Sequence, residues 1–385
     1  MSNRIGKGSP VYDWQEDWAD FPQPEEASIG WAHHGLAVTR SGEIVCFHPA
    51  RSEVVIFDSG GRFLRSWPIE LREGHGITLV EESGEEFLWF ADPGRKMRRT
   101  PSGAYEPDVA AEQGRVVKFD MDGSEVACLV RPTHPAYDFG RYAPTSVAVD
   151  EMRYGGSGDI WVADGYGENL VHRYRSDGTY VSSLDGGAGA ATFNCPHAVF
   201  IDRRRGEQEL LVADRANARI QVYRLDGSFL RVIGESFLNS PSAFASHGES
   251  LVVAELRARL TILDPEDQFV SYLGENAEVC EQPGWPNGID ELEHPVRTPH
   301  LHQGRFNSPH GLTIDASGNL YVAEWLIGGR MIKLTPTLGQ PRLAGLGTAT
   351  VDKPLKSTVA HPYGVQGAFK PENIGSTETQ KDSGS

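Results

Sequence analysis

One structural unit occurs six times along the chain, and that repetition restricts the fold more than any other feature. Each copy opens with a small residue, Pro or His, runs into an apolar strand and turns at Gly. It then continues in a second strand that ends in Ala-Asp or a close variant, and a hairpin follows. The first strands are HHGLAVT (33–39), GHGITLV (74–80), PTSVAVD (144–150), PHAVFID (196–202), PSAFAS (241–246) and PHGLTID (309–315). The second strands are EIVCFHP, EFLWFADP, DIWVADG, ELLVADR, SLVVAEL and NLYVAEW. Outer hairpins such as VVIFDSGGRFLRSW and IQVYRLDGSFLRVIG alternate apolar and polar residues around an Asp-Gly or similar turn, the signature of paired antiparallel strands. The sixth hairpin, MIKLTPTLGQPRLAG, is weaker. Four strands per unit, six times over, predicts an all-β chain folded as a six-bladed β-propeller.

The expected organisation is an N-terminal extension over 1–30, one propeller over 31–370 and a disordered tail over 371–385. HPYGVQG at 361–367 resembles a further strand start, so either terminus is a candidate to complete the last blade. With 43 Gly and 24 Pro the composition suits a turn-rich β protein. The net charge of −17 repels a phosphate backbone, so nucleic acid is not an expected partner. No apolar run reaches the ~18 residues of a membrane helix, and the N-terminus lacks a secretory apolar region. Cys46, Cys128, Cys195 and Cys280 form no CxxC pair. That usage fits a reducing compartment, and a cytoplasmic location is expected.

Blade geometry sorts the loops onto two faces. The start of each first strand lies beside the end of the second, so the Pro-His starts and the Ala-Asp ends share one face. The long connections 93–114, 131–143 and 274–305 belong to that face as well, which is where binding and catalysis concentrate on a rigid scaffold. At the strand-one start the aligned residues are His34, His75, Thr145, His197, Ser242 and His310. Blades two, four and six thus carry His, spaced around the axis so that three imidazoles converge in the central channel. Three His with an open fourth position is the arrangement of a catalytic zinc, which polarises a substrate oxygen or a water. A single His at such a place would simply hydrogen-bond neighbouring backbone; the alternation is what favours a metal. His34 is either a supporting group or a replacement for one of the three.

Other residues on the same face add chemistry. Tyr166 and Arg215 follow the Asp of blades three and four. A phenol beside a cation serves as a general base, and a guanidinium offers a planar fork to a carboxylate. Arg51 and Arg95 are further candidates, with surface salt bridges as the alternative. Asp164 and Asp214 recur with the repeat and read as caps of these loops. His300-Leu-His302 in the 274–305 loop is a possible metal pair or part of a solvated lid, and Trp285 a residue that could close over a ligand.

The stretches PTSVAVD…IWVADGYGENLVHRY, PHAVFID…LLVADRANARIQVY and PHGLTID…NLYVAEW resemble the peptidyl-α-hydroxyglycine α-amidating lyase family, six-bladed propellers of NHL type. The resemblance covers about 75–330. It implies zinc on His75, His197 and His310, Tyr166 as the base and Arg215 at the substrate. The implied reaction cleaves a carbinolamide C–N bond to an amide and an aldehyde such as glyoxylate. The metal would stabilise the developing oxyanion while Tyr166 removes the hydroxyl proton. Gly311 stands where the family has a calcium-holding Asp, so calcium is not implied. Gly167 replaces a family Cys, Pro49 an Arg, with Arg51 as its substitute, and Ser308 a Met. The metal core is therefore kept while the pocket changes, which implies a small hydroxylated amide or carbinol as substrate. Two other readings are a calcium-dependent lactonase or gluconolactonase, which needs Asp, Glu and Asn in the channel, and a non-catalytic NHL interaction scaffold.

Overall fold

A computed structural model describes residues 4–6, 10–109 and 113–337, which lie in one compact unit, Met1–Pro354. Four antiparallel meanders of four strands and a fifth with an inserted hairpin make blades one to five. Their innermost strands are Ala37–Val38, Gly76–Glu82, Ser146–Val149, Pro196–Asp202 and Pro241–His247. Blade six starts with Pro309–Ile314. The innermost strands touch one another in sequence, and Pro309–Ile314 touches Ala37–Val38, so the ring is closed and the chain is a six-bladed β-propeller.

The blades cohere because each second strand is apolar on both faces, unlike a strand with one wet side. Alternation sends Val45 and Phe47 toward blade two, where they meet Ile77, Leu88 and Phe90. Their neighbours Ile44 and Cys46 turn the other way and meet Tyr321 and Ala323 of blade six. Equivalent cores join blades two and three, three and four, four and five, and five and six.

The outer hairpins turn on Asp. Asp58, Asp120 and Asp264 each accept the backbone N–H groups two and four residues on, which holds the tight turn closed without a partner strand. The Ala-Asp endings have a different task. Asp92 accepts from the backbone of Arg72 and Glu73, Asp164 from Ala143, Asp214 from Asn194, Glu255 from Ser240 and Glu324 from Ser308. Each buried carboxylate therefore ties down the segment that leads into its own blade's first strand, as the cap reading of Asp164 and Asp214 anticipates. In blade one His48 takes this position and caps Ala50 and Arg51 instead.

Ring closure comes from the N-terminus. Tyr12–Gln15 pairs antiparallel with Arg330–Pro336 as the fourth strand of blade six, and Arg4–Ile5 pairs with it in turn. Part of the segment expected as an extension is thus inside a blade. The tail over 371–385, HPYGVQG and the PRLAG strand lie outside the described residues. Among the described residues no helix is long and apolar enough to cross a membrane, and all four cysteines are free thiols. Trp14 anchors the closing strand: its ring packs 4.8 Å from Phe306, with the Arg330 guanidinium 5.4 Å from it. Trp14→Ala should cost about 3–5 kcal/mol of stability, read as an earlier unfolding midpoint in urea by circular dichroism. An equivalent substitution at exposed Phe139 should leave the midpoint nearly unchanged.

Candidate metal centre

In blades four and six the register with strand two slips at the very start of strand one, between Pro196 and Val199 and between Pro309 and Gly311. Such an irregularity re-aims the side chain it contains, and here it turns His197 and His310 into the channel. His75 reaches the same level directly before Gly76–Glu82. All three are buried.

Each of these imidazoles bridges to the next blade through Nδ1. His75 Nδ1 is 2.6 Å from the Thr145 carbonyl, His197 Nδ1 2.7 Å from that of Ser242, and His310 Nδ1 3.3 Å from that of His34. A carbonyl only accepts, so each Nδ1 carries the proton and each Nε2 presents a lone pair. Those lone pairs converge. His75 and His310 Nε2 are 3.1 Å apart, and the Tyr166 hydroxyl lies 3.2 Å from His75 Nε2 and 3.1 Å from His197 Nε2. Burial, helped by the Arg215 cation, pushes His75 down to about 3 and His197 and His310 well below the usual imidazole range. The rings are therefore neutral acceptors, and the single phenolic proton of Tyr166 cannot serve all of them. Ligand atoms on one tetrahedral ion with bonds of about 2.0–2.1 Å stand about 3.3 Å apart. The 3.1 Å separation of His75 and His310 fits a shared cation.

A fourth imidazole stands in the cluster. His33 Nε2 is 3.1 Å from the Tyr166 hydroxyl, and the nitrogens of His33, His75 and His310 all lie within 4.8 Å of one another, a group that His197, expected as a ligand, does not join. The strand-start register points to His34, whose Nδ1 instead bonds the Gly35 carbonyl and whose own carbonyl receives His310. His33 sits outside any strand, in a segment stitched by backbone bonds to Leu326 and Gly74, so the repeat register says nothing about it. The one local signal was the doubled His at 33–34.

Tyr166 lies between two guanidinium groups, Arg95 at 5.2 Å and Arg215 at 5.5 Å from its ring centre. Burial pushes its phenol up to about 12, and Arg215 and Arg95 oppose that rise. Arg215 is itself buried, with Nη1 3.5 Å from the phenol oxygen and Nη2 3.1 Å from Cys195 Sγ. Arg95 arrives on the inserted hairpin of blade two, Arg95–Arg99 with Tyr105–Val109, a group that the sequence places only as a candidate. Arg51 is not brought to this cluster: it holds Glu26 in a two-pronged pair, both contacts 2.7 Å, on an exposed surface. Among the described residues the His300–His302 pair joins no metal-ligating group, and Trp285 is held by the Asn307 carbonyl. A side chain at Gly311 would meet the His34 carbonyl at 2.6 Å, and one at Gly167 would meet the Arg141 carbonyl at 2.2 Å. Neither the calcium-holding Asp nor the Cys of the resembling family fits there without moving backbone.

Fold and site together define a six-bladed propeller with an imidazole-lined channel. No family model matches the chain. It is similar to NHL repeat-containing protein 3 of Homo sapiens, with 30% identity over 220 residues. That match covers 55% of this chain and 58% of the human protein, so the chain spans less than two thirds of its relative. It is more distantly similar to the peptidylglycine alpha-amidating monooxygenase of Rattus norvegicus, 22% identical over 309 residues, covering 75% of this chain and 29% of that protein. Among solved structures, a streptogramin B lyase matches with a TM-score of 0.50 at 14% identity, covering 85% of this chain and 98% of the other. A Bacteroides thetaiotaomicron protein of unknown function matches with a TM-score of 0.52 at 11% identity over 80% of this chain and 70% of its own. These two likenesses concern the fold alone.

Purified protein should carry about one divalent transition-metal ion per chain by elemental analysis, and His75→Ala or His310→Ala should lower that content to a small fraction.

Proposed function

We propose that the protein is a zinc-dependent lyase that cleaves a carbinolamide C–N bond, releasing an amide and an aldehyde such as glyoxylate. The observation that carries this reading is the clustering of three imidazoles: His75 and His197 present Nε2 to the Tyr166 hydroxyl, and His310 Nε2 lies 3.1 Å from that of His75. Neutral imidazoles suit zinc, and the set lacks the carboxylates a calcium-dependent hydrolase would need. Bound there, zinc supplies Lewis acidity toward a substrate oxygen.

The chain's own residues supply the rest. Tyr166 takes the proton of the carbinol hydroxyl, the C–O bond becomes a carbonyl, the C–N bond breaks, and the proton ends on the amide nitrogen. The reaction is redox-neutral. Arg215 and Arg95 both lie over the Tyr166 ring, so an ionised Tyr166 has two cations beside it, and the same guanidinium groups offer hydrogen-bond donors to a substrate carboxylate. Similarity to a monooxygenase that is named for amidation, together with the motif resemblance over 75–330, supports the reaction class. The proposed partner is a small hydroxylated amide or carbinol rather than a nucleic acid or a membrane, and free thiols together with the absence of a CxxC pair support a cytoplasmic setting.

The test is release of glyoxylate from α-hydroxyhippurate. Chelation should abolish turnover and added zinc restore it. Tyr166→Phe, which keeps the ring between its arginines, should lower kcat by roughly 10²–10⁴-fold with metal content unchanged. Turnover that is indifferent to chelator and to His197→Ala would sink the reading.

A further inference from the structure

The fourth imidazole is held differently from the other three. His33 Nδ1 lies 3.0 Å from a Glu73 carboxylate oxygen, and the other Glu73 oxygen lies 2.6 Å from Lys96 Nζ. All three side chains are nearly inaccessible, at 4%, 1% and 1%. The other imidazoles donate Nδ1–H to neutral backbone carbonyls, whereas His33 donates to a carboxylate. An imidazole backed by a carboxylate has its tautomer and ring plane fixed and its Nε2 made a stronger donor, which is how metal-binding histidines are commonly supported. Lys96 Nζ holds the second Glu73 oxygen, so the carboxyl group is fixed in position behind His33.

The positions agree with a ligand. His33 ring centres lie 4.6 Å from His75 and 4.4 Å from His310, closer than the 4.9 Å that separates His197 from each of them. His33 comes from the segment between blades six and one, so it enters the cluster from the loop side. A cavity of about 300 Å³ is lined by His75, His197 and His310 and not by His33. The segment is also fixed from both sides: Ala32 N–H donates to the Leu326 carbonyl and Gly35 N–H to that of Gly74.

We infer that His33, supported by the Glu73–Lys96 pair, is a ligand of the channel metal beside His75 and His310. This rests on the channel holding a metal, as proposed above. His33 then differs from the other ligands in being backed by a carboxyl group rather than by a backbone carbonyl.

The experiment reads the metal directly. Zinc affinity is measured by competition with a chromophoric chelator, and apo protein is titrated with Co²⁺ to record its visible ligand-field bands. His33→Ala should weaken zinc binding by at least about tenfold and change the Co²⁺ bands, and Glu73→Gln should weaken it by roughly 10–100-fold while keeping the His33 ring. His34→Ala, which removes a side chain outside the cluster and retains the carbonyl that receives His310, should leave both readings as in the wild type. If His33→Ala folds poorly, His33→Asn and Glu73→Gln carry the test. Wild-type affinity and spectrum in the His33 and Glu73 variants overturn His33 as a ligand and leave the metal centre standing. A wild-type protein that binds neither ion overturns the centre itself.

Discussion

The hydrogen bond from a strand-start side chain to the backbone carbonyl of the next blade is the contact on which the rest of this structure depends. His75 makes it to Thr145, Thr145 to Pro196, His197 to Ser242, Ser242 to Pro309 and His310 to His34. The row holds the inner rim of the ring together with side chains rather than sheet hydrogen bonds, since among the described residues no sheet spans two blades. It also orients the functional groups. Because the Nδ1 edge is used for cohesion, every imidazole in the row has its Nε2 edge directed at the channel axis. At Thr145 and Ser242 a hydroxyl makes the same link and leaves no second ligand atom behind. Cohesion and ligand placement are one feature of the histidine, which has two nitrogens where serine and threonine have one oxygen.

Electrostatics sharpen this arrangement. The protein carries a formal charge of −17, yet the groups around Tyr166 are neutral imidazoles and two guanidinium ions. Burial keeps the imidazoles neutral, so their Nε2 atoms form an array of acceptors. Acceptors without enough donors are costly inside a protein, and a cation relieves that cost. The acidic surplus is elsewhere: at the strand-two ends Asp92, Asp164, Asp214, Glu255 and Glu324 are occupied with backbone N–H groups of the loops that lead into the rim. These carboxylates place the strand starts, and the strand starts place the nitrogens.

Much of this was legible in the sequence because it is written locally. Alternation of apolar residues and Asp-Gly turns fix a hairpin within a dozen residues, and six such hairpins with a common start fix a propeller. The aligned His75, His197 and His310, with Tyr166 and Arg215 after their Ala-Asp endings, follow from the same register. Where the register lapses, reading fails. His33 belongs to a segment with no strand, and its role depends on Leu326, Gly74 and Glu73, which lie far away along the chain. Arg51 has the right neighbours in sequence, but Glu26 in the short N-terminal helix Pro24–Ile29 claims it at the surface.

Period-two patterns and turn chemistry act over short distances, so the number of blades, the strand pairing within five of them and the face of the histidine row can be read along the chain. How the ring closes and which further groups enter the channel depend on long-range contacts. Closure pairs Tyr12–Gln15 with Arg330–Pro336, strands from opposite ends of the described chain, and no local pattern encodes a partner so distant. The same holds for the cluster: His33, Arg95 and Lys96 reach it from a seam and an inserted hairpin, through contacts that exist only once the ring has formed.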